Sequence, residues 1–444
     1  MSFASDGTPA TSRWRDVWIA AGSSAVTGMG SFLVMTTLLL TLQEEGHGGL
    51  AVSALIIAES LPVVALAAVT GRLADRVDSR LLLLVAGVIQ VAACFALSAA
   101  GGLALRITLL TLVFCGTAIV QPVRQALLMT MVTREDLPKA SGITQTASTA
   151  GMIVGPALAG FAQDGLGTPT TLRIAAVAFG ATIVAGLLFQ TRRGGAVAST
   201  ADEKQAPARM DGLLRLVTIG FAVVVGAVAA NNVVDVFLVK ETLGASSSAY
   251  GVITSMWTVG MIGGTWVTAR LLKGAADDSA IVVRAFVCLA AICTVSAVGA
   301  QSPTVAMIIP LWLIGGSLNG AVNVQVFTVF GRRTPAHARG RLSARLNAAV
   351  QGAALLGDAG GGLVLQWWTP RQVLTGAGIA GVVAVLALAP WIRATVRRTR
   401  AAEKADASPS GADQITEMAR ILPQDPRHNP DLVGKGVGGQ RAGG

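Results

Sequence analysis

Apolar residues along this chain fall in long unbroken runs, and the polar residues gather in the short gaps between them. The runs extend from Val17 to Leu42, Leu50 to Thr70, Leu81 to Ala100, Ile107 to Val132, Lys139 to Ala162 and Thr171 to Gln190. A polar stretch from Thr191 to Gly212, with Arg192, Arg193, Asp202, Glu203, Lys204 and Arg209, then interrupts the series. It resumes from Leu213 to Val239, Tyr250 to Leu272, Ile281 to Ala300, Thr304 to Phe330, Leu342 to Trp367 and Val373 to Ile392. A run of about 20 apolar residues is what a helix needs to cross the hydrocarbon layer of a bilayer. The pattern therefore predicts an all-α integral membrane protein with about twelve transmembrane helices, counted from runs of roughly that length. Its divisions are a tail over 1–16, a six-helix bundle over 17–191, a linker over 192–212, a second bundle over 213–395 and a disordered tail over 396–444.

Composition agrees. Of the 444 residues 52% are hydrophobic and 13% charged, against about 25% charged in a soluble domain. Aromatic residues are few, at 5%, while 52 residues are glycine, which suits helices packed through small side chains better than the alternating segments of a β-barrel. The formal net charge of +10 does not point to nucleic acid, because the bases lie between apolar runs and in the tail instead of forming a stripe interleaved with aromatics. They alternate by loop. Arg72, Arg76 and Arg80 occupy the second loop, Arg134 and Lys139 the fourth, and Arg332, Arg333, Arg339 and Arg341 the tenth, whereas the first offers Glu44, Glu45 and His47. Basic loops stay inside, so a multi-pass plasma-membrane protein with both termini in the cytoplasm is expected. The first run is longer than a signal-peptide core and is expected to be kept as the first helix. Cys94, Cys115, Cys288 and Cys293 lie within apolar runs and read as small buried hydrophobes with neither disulfide nor metal spacing. The tail from Val396 is rich in Pro, Gly and charge, which favours disorder. Within it, the segment from Ile415 to Leu422 fits a short amphipathic turn or two; a solubilising tail is favoured over a docking one.

The halves echo each other. An offset of 357 − 155 = 202 takes Gly155 to Gly357, Gln145 to Asn347, Gly160 to Gly362 and Gln121 to Asn323. Two related bundles joined by a linker form an arrangement in which a solute sits at the midplane between them.

Two segments carry motifs. The decapeptide from Gly71 to Arg80 has Gly71 for close helix approach, with Asp75, Arg76 and Arg80 able to form a breakable latch; a plain topology-setting loop is the competing reading. In the fifth run Gly142 is followed by Gly151, Gly155-Pro156 and Ala159-Gly160. Gly151, Gly155 and Ala159 recur every four positions and form a smooth packing face, and Pro156 can bend the helix. The decapeptide resembles the loop between helices two and three of the major facilitator superfamily, with Asp78 and Ser79 departing from its usual pattern. The glycines of the fifth run resemble the antiporter signature of that superfamily's drug:proton exporters, with Ala159 in place of one glycine. Gln121-Pro-Val-Arg-Gln125 looks like the branch of macrolide-efflux and siderophore-export carriers, and it lacks the Arg-x-x-Gln-Gly pattern of classical drug:proton antiporters. The resemblance implies the twelve-helix fold of that superfamily, alternating access and efflux.

Charge inside a span is costly and therefore informative. Glu59, Asp358, Asp235 and Arg124 are the intramembrane ionisable groups considered for proton coupling. Glu59 and Asp358 are the leading proton carriers. For Glu59 a permanent structural pair, for example with Arg124, is an equal reading. Asp235 reads more readily as a solvated helix end near Lys240 and Glu241, and Arg124 can snorkel to the surface. Gln121, Asn231, Asn319, Asn323, Asn347 and Gln351 should face a central cavity, since they lie near one another on helix faces; Trp257, Phe114 and Met35 could wall it. Interhelical hydrogen bonding is the alternative for the polar set.

The expected function is secondary active export of a hydrophobic or amphipathic small molecule in exchange for a coupling ion, taken as the proton. The protein is expected to be a monomer in the bilayer, with no cofactor, metal or nucleic-acid partner. No Gly-x-x-x-x-Gly-Lys-Ser/Thr loop occurs, and no Ser/His/Asp set suggests an enzyme. An importer or facilitator of a small polar metabolite, and a transporter-like sensor acting through the tail, are the alternatives.

Overall fold

The computed structural model describes residues 11–133, 135–191, 210–273, 277–334 and 339–407. Helices α1 (Trp14–Glu44), α2 (Gly49–Arg76), α3 (Ser79–Leu97) and α4 (Leu103–Met131) follow the first four apolar runs. The stretch Leu137–Leu188 is helical on both sides of Gly167, whose φ of 76° no L side chain adopts readily. It is thus two helices, α5 (137–166) and α6 (168–188). Helix α7 (Gly212–Thr242) runs through a junction at Ala229 and ends in a π-helical turn, Leu238–Thr242. Then come α8 (Ser247–Leu271), α9 (Asp278–Gly299), α10 (Val305–Arg333), α11 (Arg339–Val364) and α12 (Pro370–Ala407). Counted this way, the described residues form twelve helices, six in each half.

Local chemistry sets the boundaries. Asp78, Asp211, Ser246 and Asp277 each accept a hydrogen bond from a backbone N–H in the first turn of α3, α7, α8 and α9, satisfying a donor that the helix leaves open. Asp78, which departs from the superfamily pattern, thus has a structural task as a helix cap. Two expectations need correction. Gly71–Arg76 is the last turn and a half of α2, so the expected ten-residue loop shrinks to Val77 and Asp78. Helix α12 continues to Ala407, beyond the Val396 boundary set for a disordered tail. Ion pairs hold its extension: Arg400 reaches Asp277 at 2.7 Å, and Glu403 pairs with Arg333. Residues 192–209 of the linker, the side chain of Asp75 and the segment from Ile415 to Leu422 lie outside the described residues.

Helices α1–α6 pack mainly on one another, as do α7–α12; the halves meet where α5 crosses α8 and α2 crosses α11. One end of the molecule carries the starts of α1 and α7 and the basic loops and is called here the basic face; the other is the far face. The halves touch near the far face. Ser53 Oγ donates to Asp358 O at 2.7 Å across α2 and α11, and Ser255 Oγ donates to Ile153 O at 2.7 Å across α8 and α5. A Cβ on Gly160 would lie 2.3 Å from Ser247 O, and one on Gly251 2.3 Å from Pro156 O. Only glycine lets the backbones approach so closely. Toward the basic face the halves part. Among the described residues, nothing lies within 4 Å of where a side chain would begin at Gly71, Gly142 and Gly352, and Leu61, Val64 and Val69 of α2 are exposed.

Candidate functional site

Between the halves lies a cavity of about 480 Å³ walled by α1, α2, α7, α8, α9, α10 and α11. Phe32 and Met35 of α1, Tyr250 and Trp257 of α8 and Trp312 of α10 supply its apolar and aromatic wall. Its polar lining is acid and amide: Glu59 from α2, Asn231, Asn232 and Asp235 from α7, Asn319 from α10, and Gln351 and Asp358 from α11. Among the described residues, no Lys, Arg or His lines it.

The carboxylates are held in distinct ways. Asn232 Nδ2 donates to Asp358 Oδ1 at 3.1 Å, and Glu59 and Asp358 are close enough to interact electrostatically across the interface. Trp312 Nε1 donates to Asp235 Oδ2 at 3.3 Å, leaving Asp235 Oδ1 buried with no partner among the described residues. Asn231 Nδ2 donates to Ser296 Oγ at 2.5 Å, which leaves Asn231 Oδ1 a second buried acceptor without a partner there. Buried acceptors are costly to leave unmade. Together they present hydrogen-bond acceptors and negative charge beside aromatic rings, a combination suited to a solute with a cationic or donor-rich group on an apolar body.

Beyond the cavity the far face is latched. Lys240 Nζ, on the π-helical turn of α7, and Ser247 Oγ each donate to Glu44 Oε1 at 3.0 Å, joining the ends of α1, α7 and α8. Gln163 Nε2 of α5 donates to Glu44 Oε2 at 3.2 Å. Asp164 accepts from the N–H groups of Ser247 and Ser248 at 3.2 and 2.8 Å, placing a carboxylate at the start of α8, where the helix dipole favours it. The bonded partners lie up to 203 positions apart in the chain.

Of the residues singled out by sequence, Glu59, Asp235, Asp358, Asn231, Trp257, Asn319, Gln351 and Met35 come together at the cavity. Gln121, Arg124, Asn323 and Asn347 are not among its lining. Arg124 donates to Gln121 on its own helix at 3.3 Å, so the structure holds no Glu59–Arg124 pair, and Asn323 donates to Asn319 at 3.1 Å. Phe114 is buried in a hydrophobic cluster that takes in residues of both halves, and it is not among the cavity's lining. Asp235 is no solvated helix end: the latch shuts the far face beyond it, and Trp312 holds it in the cavity. The glycines of α5 divide. Gly151 and Gly155 pack on Ala25, Met29 and Phe32 of α1, whereas Gly160 packs on α8 and a Cβ on Gly142 would meet nothing among the described residues. The backbone stays helical through Pro156 and breaks at Gly167. In the Gly71–Arg80 segment, Arg76 is exposed and Arg80 donates to Leu187 O at 3.2 Å. Sequence reasoning missed Asn232, Tyr250, Trp312 and the latch. Asn232, next to Asn231 within an apolar run, was a visible signal.

A membrane-embedded cavity between two six-helix bundles, shut at one face, defines the protein as a multi-pass transporter in class. The Major Facilitator Superfamily model matches residues 20–357, and the chain belongs to that family. Solved structures share the fold at low identity. One is the nucleoside transporter NupG, in a mutant form (12% identity, 85% of this chain and 99% of that one, TM-score 0.71). Another is a POT family transporter in complex with a thioalcohol-conjugated peptide (10%, 87% and 99%, 0.70). A third is a bacterial homologue of the iron transporter ferroportin in an inward-facing state (16%, 86% and 100%, 0.67). No curated protein matches the chain in sequence.

Proposed function

We propose that this transporter exports a hydrophobic or amphipathic small molecule in exchange for protons, with Glu59 and Asp358 as the proton-carrying groups. The observation that carries the reading is the cavity lining, with three carboxylates, two tryptophans and no base among the described residues. Such a site suits an amphipathic solute bearing a cationic or donor-rich group and disfavours an organic anion. Glu59 and Asp358 belong to opposite halves and interact across the interface, so a proton or a solute cation between them changes the repulsion that the closed far face must withstand. With the basic face in the cytoplasm, as the loop arginines argue, the cavity opens inward and loads from the cytoplasm or the inner leaflet. The small-residue contacts of α5 on α1 and α8 serve as the sliding surfaces of the exchange.

The test is transport of a lipophilic amine dye in inverted and right-side-out vesicles under an imposed pH gradient. Glu59→Gln and Asp358→Asn should each abolish gradient-driven movement while the protein stays folded. Wild-type rates in both variants would remove these groups from coupling, and uptake confined to right-side-out vesicles would make the protein an importer. Removing residues 408–444 should leave export largely intact; loss of function with transport preserved would favour a sensor acting through the tail.

A further inference from the structure

A second recess, of about 400 Å³, lies between α9 and α12 at the basic face, away from the central cavity. Its floor is apolar and includes Val283, Val287 and Leu386, all exposed, while Arg393, Arg397 and Arg400 line one end. Spacings of four and seven residues put the three arginines on one side of α12. Arg393 lies about 35 Å along the helix from Pro370 at 1.5 Å per residue, close to the hydrocarbon thickness of about 30 Å, so the arginines begin where the lipid headgroups do. The apolar floor then lies in the acyl layer beneath them.

The nearby acids leave part of this charge unmatched. Asp277 takes Arg400 at 2.7 Å; Asp278 takes Arg332 at 3.3 Å and Arg333 at 2.9 Å; Glu403 pairs with Arg333. Arg393 and Arg397, both exposed, have no carboxylate partner among the described residues. Long basic side chains at a helix end commonly reach for the interface, but here two of them stand over a recess able to seat an acyl chain. A neutral lipid would leave their charge uncompensated, and a soluble anion would leave the apolar floor uncovered.

We propose that the α9–α12 recess is a binding site for an anionic phospholipid, with its phosphate at Arg393 and Arg397 and an acyl chain along Val283, Val287 and Leu386. The experiment is native mass spectrometry of the full-length protein with phosphatidylglycerol and phosphatidylcholine of identical acyl chains. The wild type should retain phosphatidylglycerol preferentially. Arg393→Gln/Arg397→Gln should reduce that preference by about tenfold or more, the scale expected for two arginines near an anionic surface, and Arg393→Lys/Arg397→Lys should keep most of it. Leu386→Trp, which fills the recess without changing charge, should also lower retention. Equal retention of the two lipids by the wild type, or an undiminished preference in the glutamine double variant, would mean annular lipid only and overturn the proposal. Displacement of the lipid by millimolar inorganic phosphate would make it a site for free anions and overturn it as well.

Discussion

Gly251 sits where α8 meets α5, and its replacement by alanine is expected to move the whole transporter. A Cβ there would lie 2.3 Å from Pro156 O, whereas ordinary contact begins at 3.4 Å, so the helices must part by 3.4 − 2.3 = 1.1 Å or bend around the clash. Overpacking of that kind costs about 1–3 kcal/mol. The contact joins the two halves at the far face, so a conformation with that face open escapes the cost. The equilibrium should then move toward far-face opening by about 5- to 150-fold, the range that such a free energy spans. Gly316→Ala is the control. Its Cβ would fall 2.0 Å from Trp257 O, but α8 and α10 belong to the same half, so the strain persists in both conformations and should lower stability without moving the equilibrium. Spin labels at His47→Cys and Thr242→Cys, in a background without the four native cysteines, report the separation of the halves by electron–electron resonance. Gly251→Ala should populate a longer distance and Gly316→Ala should not. An unchanged distance distribution in folded Gly251→Ala, or the same shift in both variants, would refute the reasoning.

Lys240→Met removes a partly solvated ion pair worth about 1 kcal/mol or less, so the same labels should show a smaller shift toward opening, no more than about fivefold, with Glu44→Gln similar. Asp235→Asn keeps an acceptor for Trp312 but loses the charge; by the weight of a charge-assisted hydrogen bond, half-saturation of transport for a lipophilic amine dye should rise by about tenfold or more, with little change for a neutral analogue. In the first far-face loop, two hydrogen bonds from Arg106 at 2.5 and 2.8 Å hold the Glu45 carboxyl below its ordinary pKa, and His47 adds a smaller effect. Its folded value is depressed, so its contribution is present above the unfolded value of about 4.3 and is lost as pH falls through the folded one. Thermal unfolding across that acid range should therefore lose a small increment, well under 1 kcal/mol for so exposed a pair, that Glu45→Gln lacks.

The apolar runs of this chain were sufficient to determine its architecture, because in lipid a backbone must satisfy its own hydrogen bonds and a run of the right length has few other folds open to it. The same logic flagged Glu59, Asp235 and Asp358, since a carboxylate in a span has to answer for its cost. The placement of Gly160 in a glycine-rich helix was legible as well, though not that it would meet α8 while Gly151 met α1. Which polar residues share a cavity was beyond the sequence. Asn319 lines it and Asn323, one helical turn away, does not, because the tilt and rotation of α10 are decided by its packing on α8 and α9. The latch is a tertiary product too, with Glu44, Asp164, Lys240 and Ser247 meeting only when the far ends of the two bundles close. A hydropathy pattern records which residues lie in lipid, whereas partners and the side on which the molecule is shut depend on contacts between segments hundreds of residues apart, and those exist only once the halves have docked.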